Sequence, residues 1–221
     1  MEEWCIPEAN AEYVAKMEDV LEVYQRPYDP LRPVVCIDEM NRQLVEETRI
    51  PCKPGRPEKV DSEYVRKGVM DVFMIAEPLA GKRDTVITQT RTAVDFAHVL
   101  KRTSDVLYPQ AEKIILITDN LNTHTIASLY KAFTPVEARR LAERFEWHYT
   151  PKHGSWLDMA EIELSILCRQ ALAKPKPDAD TFALAVRSWT AHRNTQCRKI
   201  LWHFTTTDAR IKLAKLYPSI V

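Results

Sequence analysis

The sequence contains little glycine and no long apolar segment. Four glycines among 221 residues provide no glycine-rich loop of the kind that cradles phosphates, which counts against phosphohydrolases built on such a loop. No apolar run approaches the roughly 18 residues that a membrane span needs. The first ten residues, MEEWCIPEAN, carry acids where a signal peptide would carry a basic stretch and an apolar core. We therefore expect a cytoplasmic protein that is not associated with a membrane.

The cysteines follow no pairing or metal-binding pattern. Their number is odd, and no two of them have the CxxC spacing, so neither a disulfide framework nor a zinc site is indicated. The five are Cys5, Cys36, Cys52, Cys168 and Cys197. Cys36 lies inside an apolar run, and we interpret it as a small buried hydrophobic residue.

A formal net charge of zero conceals an uneven distribution of charge. Residues 166–221 contain ten Lys and Arg against three Asp and Glu, a balance of +7, so the rest of the chain carries −7. A basic end on an acidic body can be a face that binds a polyanion such as nucleic acid. It can equally be a solvated helical surface, and charge alone leaves both interpretations open.

Hydrophobic spacing predicts a helix before the first strand. Residues 8–24 place apolar side chains at the 3.6-residue period of a helix, with acids opposite, and Pro7 suits the helix entry. The segment QRPYDPLRP that follows contains three prolines, so regular structure should stop there. Residues 1–30 are thus predicted to be a linker helix that leads into the main domain.

The rest of the chain alternates predicted strands with predicted helices. A first strand, 34–40, is followed by an alternating run, 43–50, that could pair with it as a hairpin, and by a proline-rich basic stretch, 51–68, predicted as a long loop. Further strands are predicted at 69–80, 84–90, 113–120 and 145–151, and helices at 93–107, 123–132, 135–145, 155–172 and 181–217. This order favours an α/β fold with a mixed sheet. A crossover through helix 93–107 should place strand 113–119 parallel to the first strand and beside it.

Two of these predicted strands end in an aspartate. Asp38 ends VVCID and Asp119 ends IILITD, and ligands of open α/β sheets bind at the carboxyl ends of strands. Adjacent parallel strands would bring the two carboxylates within a few ångströms, where each raises the pKa of the other. A divalent cation such as Mg²⁺ or Mn²⁺ would relieve that repulsion. Alternatively, each aspartate caps a neighbouring turn.

Helix 155–172 offers a third carboxylate. Ser155 is its predicted N-cap, with Asp158 at the capping-box position. Glu161 falls within the apolar stripe of this helix, where a carboxylate is costly unless it is paired or bound to a metal, whereas Glu163 falls on the other flank as a partly exposed acid. We therefore expect Glu161 to share a metal with the two aspartates. Two such ions about 4 Å apart could activate a nucleophile and stabilise the leaving oxygen of a phosphodiester.

Three segments together resemble a known family. CIDE at 36–39, TDNLNTH at 118–124 and TPKHGSWLDMAEIEL at 150–164 are similar to the three acid motifs of DDE transposases. The resemblance is to the bacterial insertion-sequence branch of the Tc/mariner superfamily. It covers roughly residues 30–217, and the third motif is the most specific.

The resemblance implies an RNase H-like fold with a mixed five-stranded sheet flanked by helices. Residues 31–172 would form the catalytic domain, and residues 173–221 a basic helical segment packed on it. Asp38, Asp119 and Glu161 would be the catalytic metal ligands for Mg²⁺ or Mn²⁺, with two ions expected. The family cleaves transposon-end DNA and joins the freed 3′-OH to target DNA, usually at TA. Expected partners are therefore transposon-end and target DNA and a second copy of the chain, with the protein acting at the nucleoid.

Other residues receive supporting roles from the resemblance. Asn120 and His124 of the second motif could orient water, a ligand or a DNA phosphate, although His124 could instead bond locally at a helix start. His153 could approach the substrate or be only a turn residue. The 51–68 loop occupies the place of a loop that grips the partner subunit in mariner-type enzymes. Its candidate contacts to DNA or to that partner are Lys53, Arg56 and Lys59.

The chain departs from the family pattern in two respects. Relatives usually carry N-terminal helix-turn-helix domains, so we expect this chain to be a fragment, a truncated product or one product of a split reading frame. Asp158 stands where relatives commonly have asparagine, which would add negative charge and change the metal affinity. Two alternatives to an active transposase remain: a catalytically inactive DNA-binding remnant, and a metal-dependent phosphohydrolase.

Overall fold

A five-stranded mixed sheet forms the centre of the protein. The computed structural model describes residues 10–50 and 59–218. Its strands are β1 Val34–Ile50, β2 Lys59–Glu77, β3 Lys82–Thr88, β4 Ile114–Thr118 and β5 Phe145–Tyr149. The strand order is β3-β2-β1-β4-β5. The first three strands are antiparallel, whereas β4 pairs in parallel with both β1 and β5, as the crossover argument predicted.

Two predictions about the first strands are wrong. Residues 34–50 form one continuous strand instead of a hairpin, because no glycine or other turn-forming pair interrupts the run near residue 41. The predicted 51–68 loop is already a strand from Lys59 onward, and its partner is the distal half of β1. This half of the β1–β2 pair extends past the residues that pair with β3 and β4, and the polar composition of the run resembles that of a loop. Residues 51–58 lie outside the described part of the chain.

Helices cover both faces of the sheet. They are α1 Ala11–Tyr24, α2 Ala93–Arg102, α3 Ile126–Ala132, α4 Pro135–Arg144, α5 Met159–Gln170, α6 Ala179–Thr195 and α7 Thr206–Lys212. Helices α1, α5, α6 and α7 bury apolar side chains against one face, called the first face below. Helices α2, α3 and α4 pack on the second face. In the described residues no helix combines the length and apolarity needed to cross a bilayer.

The alternation of β1 assigns its side chains to the two faces. Val34 and Cys36 belong to the core of the first face, and Val35 and Ile37 to that of the second. Successive residues of a strand point to opposite sides, so Asp38 continues the first-face series and Glu39 the second-face series.

Helix α1, predicted as a linker, is part of the first-face core. It buries six side chains there: Tyr13, Met17, Val20, Leu21, Val23 and Tyr24. The Tyr24 hydroxyl donates a 2.5 Å hydrogen bond to the carbonyl of Leu157, so α1 contacts the segment that leads into α5.

Candidate active site

Asp38 and Asp119 lie side by side at one edge of the parallel pair. The β1–β4 register ends with Ile37 opposite Thr118, so the next residue on each strand is an aspartate. Neighbouring strands are about 4.8 Å apart, so the two acids lie next to each other on adjacent strands. The sequence prediction that these carboxylates converge is thus consistent with the register.

The environment of Asp38 disfavours a charged carboxylate. Burial is the largest cause of a pKa raised to about 7, and the nearby carboxylates of Glu39, Asp119 and Glu161 raise it further. One hydrogen bond, 2.8 Å from the Glu39 backbone N–H to Asp38 Oδ1, opposes the rise. The side chain therefore needs a positive charge nearby if it is to ionise fully at neutral pH.

Asp158 joins the same cluster from the start of α5. It is the N-cap of that helix, and its Oδ1 accepts a 2.8 Å hydrogen bond from the Ala160 N–H. Its Oδ2 is buried and has no hydrogen-bond partner among the residues that the structure describes. Burial and the charges of Asp38, Asp119 and Glu161 raise its pKa well above the ordinary value. The prediction of Ser155 as N-cap is wrong, because residues 155–157 form a 3₁₀ turn before the helix.

The sequence-based assignment of the two glutamates on α5 is reversed. Glu161, expected within the buried stripe, is exposed, and Glu163, expected to be partly exposed, is fully buried. A stripe that begins at Leu157 and advances 100° per residue includes Glu161, but Leu157 belongs to the 3₁₀ turn and Asp158 has extended backbone. The helical period starts only at Met159, and the phase of the stripe shifts accordingly.

Glu163 is held in a buried ion-pair network away from the cluster. Its Oε1 accepts hydrogen bonds of 2.7 Å from Arg83 Nη2 and 3.1 Å from Arg193 Nη2, and its Oε2 accepts one of 3.2 Å from Arg193 Nε. Burial opposes ionisation, but the two guanidinium groups outweigh it and lower the pKa of Glu163. Glu163 therefore ties α5 to β3 and α6, while Glu161 stays free to face the acids.

His124 bridges two carboxylates on the second-face side of the site. Its Nδ1 contacts Asp119 Oδ1 in a short ion pair, and its ring lies 4.2 Å from the Phe96 ring, centroid to centroid. Its Nε2 lies 3.0 Å from Glu39 Oε2, but that oxygen has no aligned hydrogen bond, so we regard the contact as an ion pair. Burial alone would lower the pKa of His124, yet Asp119 and Glu39 together raise it to about 9. His124 is thus placed to orient Asp119.

The sequence analysis missed Glu39 as a member of this site. Its side chain is almost fully buried, 3.0 Å from His124, and its charge contributes to the raised pKa of Asp38. An acid inside an otherwise apolar strand was the available signal. Glu39 projects to the second face of the sheet, so the alternation along β1 separates it from Asp38.

The other predicted site residues lie at the surface or outside the description. Asn120 is exposed directly after Asp119, and His153 is exposed in the turn before α5, with a left-handed φ of 63°. Lys59 is the first residue of β2. Lys53 and Arg56 lie outside the described residues.

The donor set fits a hard divalent cation in its chemistry. Carboxylate oxygens are the ligands that Mg²⁺ and Mn²⁺ prefer, and the unpartnered Oδ2 of Asp158 adds a buried oxygen with nothing to bind. The arrangement is not preformed, however. Across residues 10–50 and 59–218, no three His, Cys, Asp or Glu side chains are grouped as a metal site. The acids interact electrostatically, but their side chains do not converge on one ion.

Comparison with solved structures identifies the fold. The chain resembles the Mos1 mariner paired-end complex with Mn at a TM-score of 0.58 and 16% identity, covering 90% of this chain and 60% of that one. For the Mos1 strand transfer complex the TM-score is 0.58, the identity 16%, and the coverage 86% and 57%. For the mariner Mos1 paired-end complex with Mg the TM-score and identity are the same and the coverage is 99% and 67%. The predicted RNase H-like fold is confirmed.

The chain thus spans about three-fifths of the Mos1 chain in the first of these complexes. No curated protein matches it in sequence.

A family model settles the relationship that the three acid motifs suggested. The model for the DDE superfamily endonuclease matches residues 33–183, a span that contains Asp38, Asp119 and Glu161. The resemblance to DDE transposases is therefore confirmed, whereas assignment to a bacterial insertion-sequence branch stays a prediction. By this match over most of its length, the chain belongs to the DDE superfamily of endonucleases.

Proposed function

We propose that the protein is the catalytic part of a transposase that cleaves transposon-end DNA and joins the freed 3′-OH to target DNA, with TA as the expected target. The observation that carries the proposal is the electrostatic cluster of Asp38, Asp119, Asp158 and Glu161 where the β1–β4 pairing ends. Burial and the nearby carboxylates raise the pKa of Asp38 to about 7. Such a concentration of negative charge is costly without a cation. Residues 31–172 would be the catalytic domain, with residues 173–221 packed on it.

Asp38, Asp119 and Glu161 would hold Mg²⁺ or Mn²⁺, with two ions expected. When bound, such ions supply a Lewis acid for the phosphodiester and lower the pKa of the attacking water or hydroxyl. The chain's own residues prepare this site. His124 fixes the carboxylate of Asp119 through its ion pair, and the Arg83–Glu163–Arg193 network fixes the position of α5 and hence of Glu161.

The comparisons support the assignment to DNA. The similar structures are described as paired-end and strand transfer complexes of a mariner transposase, with Mn and Mg in two of them. By analogy we propose that this chain acts on DNA inside the cell, at the nucleoid, and as a homodimer that holds two DNA ends.

The test is the substitution Asp119→Asn. The substrate is a duplex with the terminal inverted repeat that flanks the gene, incubated with Mg²⁺ or Mn²⁺. We expect cleavage by the unmodified protein to be lost, because the amide has no charge with which to hold a cation. Asp29→Asn, at an exposed acid before β1 whose hydrogen bond from the Leu31 N–H an amide oxygen can keep, is the matched control and should cleave normally. Equal thermal unfolding of the proteins excludes misfolding, and undiminished cleavage by Asp119→Asn would refute the assignment.

A second candidate is a DNA-binding remnant without cleavage activity. It is favoured by the absence of a ready metal grouping in the described residues. The two candidates differ in metal binding, which titration calorimetry with Mn²⁺ measures directly. An active enzyme should bind Mn²⁺ and lose that binding in Asp119→Asn, whereas a remnant should bind DNA with strong salt dependence and release no nicked product.

A further inference from the structure

A small basic cleft lies on the first face, along β1 from the acids. It has a volume of about 220 Å³ and runs between β1 and the loop that joins α5 to α6. Three cations line it: Arg42 on β1, and Lys174 and Lys176 on the loop. Leu172 and Phe182 form its apolar wall.

The backbone around the cleft is fixed. The N–H of Val45 donates a 2.9 Å hydrogen bond to the carbonyl of Lys176, and Leu44 and Lys176 form an isolated parallel bridge. Leu44 itself is buried in the first-face core. The loop backbone that carries the two lysines is therefore joined to a core strand at Lys176.

The three cations of the cleft carry charge that no carboxylate neutralises within the described residues. Other basic residues of the C-terminal segment differ. Arg193 pairs with Glu163, Arg210 with Glu18 and Lys212 with Asp208. The +7 balance of residues 166–221 therefore consists of a structural part that is paired and a part that is available.

Nearby acids do not cancel the charge of the cleft. The carboxylate of Asp178 caps α6 by accepting hydrogen bonds from Thr181 N and Oγ1. On β1, Glu46 pairs with Lys67 at 2.7 Å. The exposed Asp180, in the first turn of α6, is the remaining acid beside the loop, so the three cations outnumber it.

The cleft is aligned with the candidate active site. Arg42 follows Asp38 by four residues on the same face of β1, a distance of about 13 Å at the rise of a strand. Helix α5 runs the same way from Glu161, and Cys168 Sγ near its end lies 3.2 Å from Met40 Sδ on β1. Strand β1, which carries Asp38, and helix α5, which carries Glu161, therefore both run from the acids toward the cleft.

We propose that this cleft binds the sugar-phosphate backbone of duplex DNA about four base pairs from the bond that the acids cleave. This spacing belongs to a duplex whose axis lies along β1, for which the 13 Å separation corresponds to about four base pairs at a rise of about 3.4 Å. Lys supplies point charges to phosphates and Arg a bidentate fork. The inference rests on the proposed function for the identity of the DNA, but its test is a binding measurement that needs no cleavage.

The first experiment measures the salt dependence of DNA binding in EDTA, with a duplex carrying the terminal inverted repeat. The triple variant R42A/K174A/K176A should make the negative slope of log K against log salt shallower by about 2.7, because each lost phosphate contact reduces its magnitude by about 0.9. The matched control is K131A/K199A/K215A, which removes three exposed cations outside the cleft and should leave the slope within one contact of the unmodified protein. An unchanged slope in the triple variant, or an equal fall in the control, overturns the proposal.

The second experiment locates the contact. Duplexes with one neutral methylphosphonate linkage, moved step by step from the transposon end, are bound by the unmodified protein and by the triple variant. We expect weaker binding by the unmodified protein at a short run of linkages centred about four base pairs from the end, and no such loss in the triple variant. The same run of sensitive linkages in both proteins would refute the assignment of the cleft.

The two proposals fail in different ways. Loss of metal-dependent cleavage, with the cleft-dependent salt slope retained, would remove the catalytic proposal and keep the cleft. Normal cleavage, with no effect of the triple variant on binding, would remove the cleft proposal and keep the catalytic one.

Discussion

Replacing Glu163 by glutamine should destabilise the protein strongly, although the residue lies outside the acid cluster. The side chains of Glu163 and Arg83 have exposed fractions of 0% and 1%, and that of Arg193 only 10%. Two guanidinium groups thus share one carboxylate in the interior. The glutamine side chain has nearly the same shape but no charge, so both cations would stay buried without a counter-ion.

Breaking a buried ion pair from one side costs about 3–5 kcal/mol of unfolding free energy, because an uncompensated charge is left behind. Arg83 also donates hydrogen bonds to the carbonyls of Gly81 and Arg198, at 2.6 Å each, and these would hold the guanidinium in place. At about 2–4 °C per kcal/mol for a chain of this size, the melting temperature should fall by roughly 6–20 °C.

Urea unfolding at neutral pH measures this cost, with equal m-values required before the free energies are compared. Glu161→Gln is the matched control: it is the same substitution two residues earlier on α5, at an exposed position. Its effect should stay within about 0.5 kcal/mol. A Glu163→Gln protein within 1 kcal/mol of the unmodified one would refute the argument that this network fixes α5.

The pH dependence of the deficit gives an independent check. The pKa of Glu163 is lower in the folded protein than its usual 4.5, so the unfolded chain binds the proton more readily. The stabilisation is therefore fully present above about pH 4.5 and is lost as the pH falls through the folded pKa. The difference between the unmodified protein and Glu163→Gln should shrink in acid.

Two further substitutions test the segment before α5. Asp158→Asn should raise the melting temperature in EDTA at pH 8, because it removes a buried carboxylate whose pKa is raised while keeping an oxygen for the Ala160 N–H. The gain should decrease toward pH 5, and equal melting at pH 8 would contradict it. Tyr24→Phe should lower the unfolding free energy by about 1–3 kcal/mol, because the buried carbonyl of Leu157 loses its donor. Chemical denaturation should show a smaller loss for Tyr13→Phe, whose hydroxyl accepts a longer bond, 3.3 Å, from Trp156.

The neighbouring positions of Asp38 and Asp119 could be predicted from sequence, because they follow from general rules of strand order that do not depend on individual side-chain contacts. A continuous apolar run predicts a buried parallel strand, and a crossover of one helix predicts its neighbour. The observed register, with Ile37 opposite Thr118, then leaves the two aspartates in matching positions. No knowledge of individual side-chain contacts was needed.

The roles of the glutamates on α5 were not accessible in the same way. A helical wheel is only as good as the residue at which the helix begins, and a shift of one residue turns the stripe by about 100°. Here the 3₁₀ turn Ser155–Leu157 precedes the helix, so Glu163 and not Glu161 is buried. A buried Glu163 is stabilised by Arg83 and Arg193, which lie 80 and 30 residues away in sequence. Because these partners are so distant along the chain, no local sequence pattern predicts them.

Side chains from both faces of β1 contribute to the cluster of acids where the β1–β4 pairing ends. Asp38 projects to the first face and Glu39 to the second, and Asp119 and His124 lie at the carboxyl end of the neighbouring strand. One imidazolium is shared by Glu39 and Asp119, which leaves the remaining carboxylates of the cluster without a cation of their own within the described residues. Burial is the largest cause of the raised pKa of Asp38, and the nearby carboxylates of Glu39, Asp119 and Glu161 raise it further. A divalent cation bound on the first face would neutralise the carboxylates that His124 does not contact. The proposed catalytic site thus depends on two positive charges: the imidazolium of His124 for Glu39 and Asp119, and a metal ion for the acids of the first face.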